Sequence, residues 1–186
     1  MPRSVSICIG FTVALAASAL TASTLFLPDL HPAAAQAVGP NKSGLPLPRF
    51  VSLKSSRANL RIGPGRNYPV DWMYLKAGLP MEIIQEYDNW RRVRDSEGTD
   101  GWINQSLLSG KRTAIVTPWN RGKDATIPLR ADPSNEARKV ADIEPGALGS
   151  IERCNGDWCE MRFGGYGGWI SQSQIWGAYP NETITD

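Results

Sequence analysis

Cys154 and Cys159 carry the most definite chemistry in this 186-residue chain, and Asn155-Gly156-Asp157-Trp158 separates them. Two thiols at that spacing can be a disulfide, a redox centre or half of a metal site. Redox pairs favour C-x-x-C, and zinc would want two further ligands that the chain lacks. If the four intervening residues form a hairpin loop, the cysteines face each other across an antiparallel pair. Cα atoms there stand about 4.5–5.5 Å apart, within reach of a disulfide. A structural disulfide is the predicted state, stabilising by about 2 kcal/mol. The acids Asp95, Glu97 and Asp100 cluster in a polar turn. Carboxylates alone can hydrolyse glycosides, but exposed loop acids are ordinarily just solvated. His31 is the only histidine and lies in a segment expected to be removed. Without it there is no Ser-His or Cys-His nucleophile and no imidazole ligand. Gly63-Pro64-Gly65 lacks the following Lys-Ser/Thr of a phosphate loop and reads as a turn. The expectation is a protein that is not an enzyme, with no catalytic residues, no cofactor and no metal.

The elements around these residues come from a duplication. Leu60-Arg61-Ile62-Gly63-Pro64-Gly65 aligns with Leu129-Arg130-Ala131-Asp132-Pro133-Ser134, and Leu75-Lys76-Ala77-Gly78 with Ile143-Glu144-Pro145-Gly146. Asn89-Trp90-Arg91-Arg92-Val93-Arg94 aligns with Asp157-Trp158-Cys159-Glu160-Met161-Arg162, and Gly101-Trp102-Ile103 with Gly168-Trp169-Ile170. Four matched blocks in one order identify a repeat. Each copy reads as β. Residues 81–87 and 90–94 flank Asp88-Asn89, and 149–154 and 158–163 flank Asn155-Gly156, both hairpin signals. Five short strands in about 60 residues predict a small barrel rather than a sandwich. On this alignment Glu86 and Arg91 occupy the places of the two cysteines, so a cross-strand ion pair is expected in the first copy.

The first copy's Leu60-Arg61-Ile62-Gly63-Pro64-Gly65, Tyr68-Pro69-Val70, Trp90-Arg91-Arg92-Val93 and Gly101-Trp102-Ile103 resemble a bacterial SH3 domain. The subfamily resembled is the one exported by alphaproteobacteria. The second copy departs from it: Asp132 and Ser134 replace two glycines, and no Tyr-Pro follows. The resemblance spans about residues 50–177. It implies an all-β fold of two tandem SH3-like β-barrels that bind cell-wall peptides or protein partners without chemistry. Such a resemblance specifies a fold better than a ligand.

A ligand site is expected on the first barrel. All seven tryptophans lie beyond residue 71, and several must pack cores. Trp102 starts a strand beside the loop that brings Tyr68, Pro69 and Trp72, an aromatic shelf of the kind SH3 grooves use for extended peptides. From Phe50 to Arg112 ten Lys/Arg stand against seven Asp/Glu, a balance of +3; from Ala125 to Asp186 five stand against nine, a balance of −4. Arg92 and Arg94 share one strand face, either a solvated basic face or a clamp for carboxylates. The expected ligand-binding residues are Arg61, Tyr68, Trp72, Arg92 and Trp102. The expected ligand is a peptidoglycan stem peptide or another extended anionic peptide. The alternative is an adaptor tethering a periplasmic enzyme or sensor, and a third reading is a carboxylate-only hydrolase. Nucleic acid fits poorly with a net charge of +2.

Met1-Pro2-Arg3, an uncharged stretch over residues 4–27, and Ala35-Gln36-Ala37 read as a signal peptide cleaved after Ala37. An uncleaved leader would instead be the chain's sole membrane attachment. Both readings predict export to the periplasm or cell envelope. The expected division is signal peptide 1–37, Pro/Gly-rich linker 38–49, first domain 50–117, linker 118–124, second domain 125–178 and tail 179–186.

Overall fold

The computed structural model describes residues 43–123 and 125–185; the expected leader, its cleavage point and the start of the linker lie outside the described residues. The architecture is all-β, with three single-turn 3-10 segments and no α-helix among the described residues. No helix there is long and apolar enough to cross a membrane.

Seven strands build the first barrel: β1 (Arg49–Leu53), β2 (Ala58–Arg61), β3 (Val70–Tyr74), β4 (Pro80–Tyr87), β5 (Trp90–Arg94), β6 (Asp100–Asn104) and β7 (Leu108–Ser109). They hydrogen-bond in the order β3-β2-β6-β5-β4-β1-β7. The second barrel repeats the arrangement. Its strands are β8 (Thr113–Val116), β9 (Ile127–Arg130), β10 (Lys139–Ile143), β11 (Leu148–Asn155), β12 (Trp158–Phe163), β13 (Tyr166–Ser171) and β14 (Ile175–Trp176), in the order β10-β9-β13-β12-β11-β8-β14. A final short strand, β15 (Thr183–Ile184), pairs with β11. The two expected hairpins are present, β4–β5 and β11–β12.

Three expected boundaries move. Residues 113–116, expected at the end of the first domain, form β8, which pairs with β11 and β14 and so opens the second barrel. Residues 179–186 were assigned to a tail, yet β15 within them extends the second sheet. The linker likewise gives up Arg49 to β1.

Matched positions fill both cores. Leu60 and Leu129, Ile83 and Ile151, Val93 and Met161, and Ile103 and Ile170 are all buried. One cross-strand pair has exchanged bulk between partners: Ala58 faces Tyr74 in the first barrel, where Ile127 faces Ile143 in the second. A small-plus-large pair and a pair of medium side chains fill similar volume, the kind of swap a core tolerates. The glycine before each motif tryptophan is there for close approach. A Cβ on Gly101 would lie 2.6 Å from Leu60 Cγ, and one on Gly168 would lie 2.6 Å from the Arg130 carbonyl oxygen. Only glycine lets β6 and β13 close onto β2 and β9 at those points.

Cys154 and Cys159 are opposed across β11–β12 and form the expected disulfide. At the matched place Glu86 faces Arg91 across β4–β5, with Arg91 Nε 3.3 Å from Glu86 Oε1. This pair is more than a surface contact. The Glu86 side chain is only 2% exposed, and it also accepts from Arg49 Nη2 at 2.6 Å and from Ser43 Oγ at 2.8 Å. Burial would raise its pKa, but the hydrogen bonds from Arg49 and Ser43, with the charge of Arg91, hold it below the usual carboxylate range. A buried ionic cluster thus stands where the second barrel has a covalent bond.

Candidate binding groove

Register places three of the expected residues in one row. Arg61 in β2 faces Trp102 in β6, and Trp102 faces Arg92 in β5. Their neighbours point inward to the core, so this row lies on the barrel's outer face. Arg92 is occupied there, with Nη2 2.8 Å from Asp100 Oδ2 and both side chains partly solvated. Arg61 has a structural duty: its Nη1 donates to the Tyr68 carbonyl oxygen at 2.6 Å. Arg130 makes the same bond to Ala137 at 2.8 Å in the second barrel. The guanidinium therefore holds the β2–β3 loop in both copies, whether or not the aromatic ring is present.

Tyr68 explains the glycines of that loop. A Cβ on Gly63 would sit 2.4 Å from its ring, and one on Gly65 would sit 3.2 Å from the other ring edge. The ring lies over the loop, and both glycines make room for it. Where Ala137 replaces the tyrosine, Asp132 and Ser134 replace the glycines, and the backbone hydrogen bonds of the loop are unchanged in pattern. Trp72 does not join the row. It faces Leu60, on the opposite parity from Arg61, and stands 58% exposed at the end of the sheet.

The groove that forms beside this row has a partly different membership. It encloses about 470 Å³ and is lined by Arg57, Asn59, Arg61, Arg66, Trp90, Asn104, Ser106 and Leu107. Of the five expected residues only Arg61 lines it. Arg57 comes from the turn before β2, Arg66 from the loop after it, and Trp90 opens β5 opposite Asn104 of β6. Arg57, Arg61 and Arg66 have no acidic partner within 4 Å among the described residues, in contrast to Arg91, Arg92 and Arg94. The matched residues of the second barrel are Thr126, Arg130 and Asn135, beside Trp158. Only the first copy concentrates positive charge there. The second barrel instead covers its motif tryptophan: Arg153 lies 5.1 Å over the Trp169 ring, where the first barrel has Gln85.

A larger cleft of about 920 Å³ lies where the barrels meet, with Trp119, Trp158 and Trp176 among its walls. Two of its three carboxylates, Glu82 and Asp95, are committed to structure, and the third is Asp157. Glu82 pairs with Arg94 at 2.6 Å and accepts from Tyr179 Oη at 2.9 Å. Asp95 accepts from Tyr74 Oη at 2.8 Å and from the backbone N–H groups of Glu97 and Thr99. Burial and the Asp95 carboxylate both push the Tyr74 phenol well above its ordinary pKa, so it remains a donor. Among the described residues no three His, Cys, Asp or Glu come close enough to hold a metal ion.

Doubled barrels of this topology, with the Leu-Arg loop and Gly-Trp strand in each, define a tandem SH3-like protein. This chain belongs to the bacterial SH3 domain family, which matches residues 54–110 and again residues 123–177. Among solved structures it is similar to NlpC2 from Trichomonas vaginalis, at 12% identity and a TM-score of 0.31, over 69% of this chain and 48% of that one. NlpC1 from the same organism matches at 13% identity and a TM-score of 0.30, over 70% and 46%. An NlpC/P60 family protein from Bacillus cereus matches at 12% identity and a TM-score of 0.31, over 69% and 56%. The chain spans about half the length of these proteins. No protein of curated function matches it in sequence.

Proposed function

We propose that this chain is a non-catalytic binding module of the cell envelope, exported to the periplasm, whose first barrel holds an anionic peptide such as a peptidoglycan stem peptide. One observation carries the reading: Arg57, Arg61 and Arg66 line a single groove beside Trp90, and no acid of the chain neutralises them among the described residues. Unpaired guanidinium groups around an aromatic wall suit a carboxylate on an extended backbone, gripped through paired N–H donors while the chain lies along the ring. Arg61 keeps one arm on the Tyr68 carbonyl, so it orients the loop, and Arg57 and Arg66 supply the free charge. The second barrel, with one arginine at these three positions, serves as a braced neighbour. Membership of the bacterial SH3 family supports a binding role.

Co-sedimentation with purified sacculi tests this. The native chain is expected to pellet at low salt, to be released as ionic strength rises, and to stay in the supernatant as the Arg57→Ala/Arg66→Ala variant. Pelleting that ignores both substitutions, or no pelleting by the native chain, refutes it.

A further inference from the structure

β3 ends its sheet, with β2 on one side and no described strand on the other. An open edge presents unpaired N–H and C=O groups and is normally blunted by charge. The second barrel does this. At its matching edge β10, Lys139 faces Arg130 and Asp142 faces Pro128, and Lys139 Nζ lies 2.7 Å from Asp142 Oδ2. The first barrel does the reverse at the same register positions. The strand register makes Tyr74, not Leu75 as aligned from the sequence, the counterpart of Ile143, so Val70 stands for Lys139, Trp72 for Ala141, Met73 for Asp142 and, just beyond the strand, Leu75 for Glu144. All four are exposed, Leu75 by 72%. None of the four belongs to the core cluster, so packing within the barrel does not account for them.

We propose that β3 is a docking edge that takes an extended segment of a partner protein as an added strand. Backbone pairing would supply affinity, and apolar side chains on both faces of the added strand would cover Trp72 on one face and Met73 on the other. Charge complementarity fixes the rest of its chemistry. Arg57 lies against this strand, with Nε 3.2 Å from Met73 Sδ; Arg66 sits in the loop leading into it, and Lys76 follows Leu75. Asp71 is the strand's one acid. The matching partner is therefore apolar at successive positions and acidic at its flanks. The edge shares Arg57 and Arg66 with the arginine groove, but Val70, Trp72, Met73 and Leu75 do not line that groove, so the substitutions below leave its walls in place.

The test selects from a library of short random linear peptides displayed on phage, panned against the purified chain. The expected winners carry a short run of apolar residues with at least one flanking acid. Each should lose about tenfold or more in affinity for the Val70→Lys/Trp72→Ala/Met73→Asp/Leu75→Glu variant, which copies the second barrel's edge. Methylating alternate backbone nitrogens of the peptide should abolish binding. The milder Trp72→Ala variant, checked by thermal unfolding, controls for loss of fold. Absence of enrichment, winners that ignore both variants, or a self-associating chain made monomeric by Met73→Asp would each overturn the proposal, the last by naming a second copy as the occupant.

Discussion

The phenol of Tyr179, which lies beyond the last strand of the second barrel's main sheet, donates a 2.9 Å hydrogen bond to Glu82 Oε1 in β4 of the first. Glu82 is buried and holds Arg94 through Oε2, so the bond satisfies the other oxygen, Oε1, which has no other donor among the described residues. Tyr179 also packs on Phe50 at 4.7 Å, and Phe50 meets Trp176 edge-on at 5.0 Å. Burial and Glu82 push the Tyr179 hydroxyl well above its ordinary pKa, which keeps it a donor at all physiological pH. These contacts fix one barrel against the other.

Tyr179→Phe keeps the ring and removes the donor. The expected loss is about 1.5–3 kcal/mol, the range for a hydrogen bond to a charged group. Urea unfolding measures it. A loss confined to the second barrel, with the first unaffected, would contradict the shared role.

Removing the disulfide as Cys154→Ala/Cys159→Ala closes no loop in the unfolded chain and should cost about 2 kcal/mol. Thermal unfolding of the native chain with and without reductant gives the same quantity. Reductant should leave Glu86–Arg91 and the first barrel untouched.

Acid should unfold the chain through Glu86 and Glu182. Burial opposes ionisation of Glu182, but Arg112 and the Tyr179 N–H outweigh it and lower its pKa, as Arg49 and Ser43 do for Glu86. Both groups bind fewer protons folded than unfolded. Their contribution is complete above the ordinary glutamate value of about 4.3 and is lost as pH falls through the depressed values. Glu86→Gln is expected to lower stability at neutral pH and flatten the acid limb. An unchanged limb would show that the cluster is not ionised in the way described.

Gly63 and Tyr68 should be coupled. Gly63→Ala pushes a methyl into the Tyr68 ring and should destabilise by about 1–3 kcal/mol. Tyr68→Ala removes the obstacle, so in the double variant the alanine at 63 should cost little. A double-mutant cycle by urea unfolding reads the coupling; additive effects would show that the ring does not lie over the loop.

What depends on local spacing was legible in the sequence. The hairpins, the disulfide and the Glu86–Arg91 pairing follow from strands and tight turns near each other in the chain. β8 was not, because four residues (54–57) join β1 to β2 whereas ten (117–126) join β8 to β9, and the longer connection hides the match. The groove was legible in part. Arg61, Trp102 and Arg92 do form a row, since β2, β6 and β5 are adjacent. Trp72 faces away because register, not sequence proximity, decides the face. Arg57, Arg66 and Trp90 meet only when the sheet closes, and they come from three separate segments. Comparing the copies could have marked two of them, since Arg57 and Arg66 become Thr126 and Asn135.

The proposed function puts the anion site in the first barrel and not the second. Trp90 and Trp158 hold matched positions, and only Trp90 stands among three arginines. Nuclear magnetic resonance titration with a synthetic stem peptide bearing free carboxylates reads both indole N–H signals at once. The Trp90 indole and the Arg57 and Arg66 side chains are expected to shift, and the Trp158 indole to stay in place. Shifts at Trp158 and Trp119 with none at Trp90 would contradict that placement.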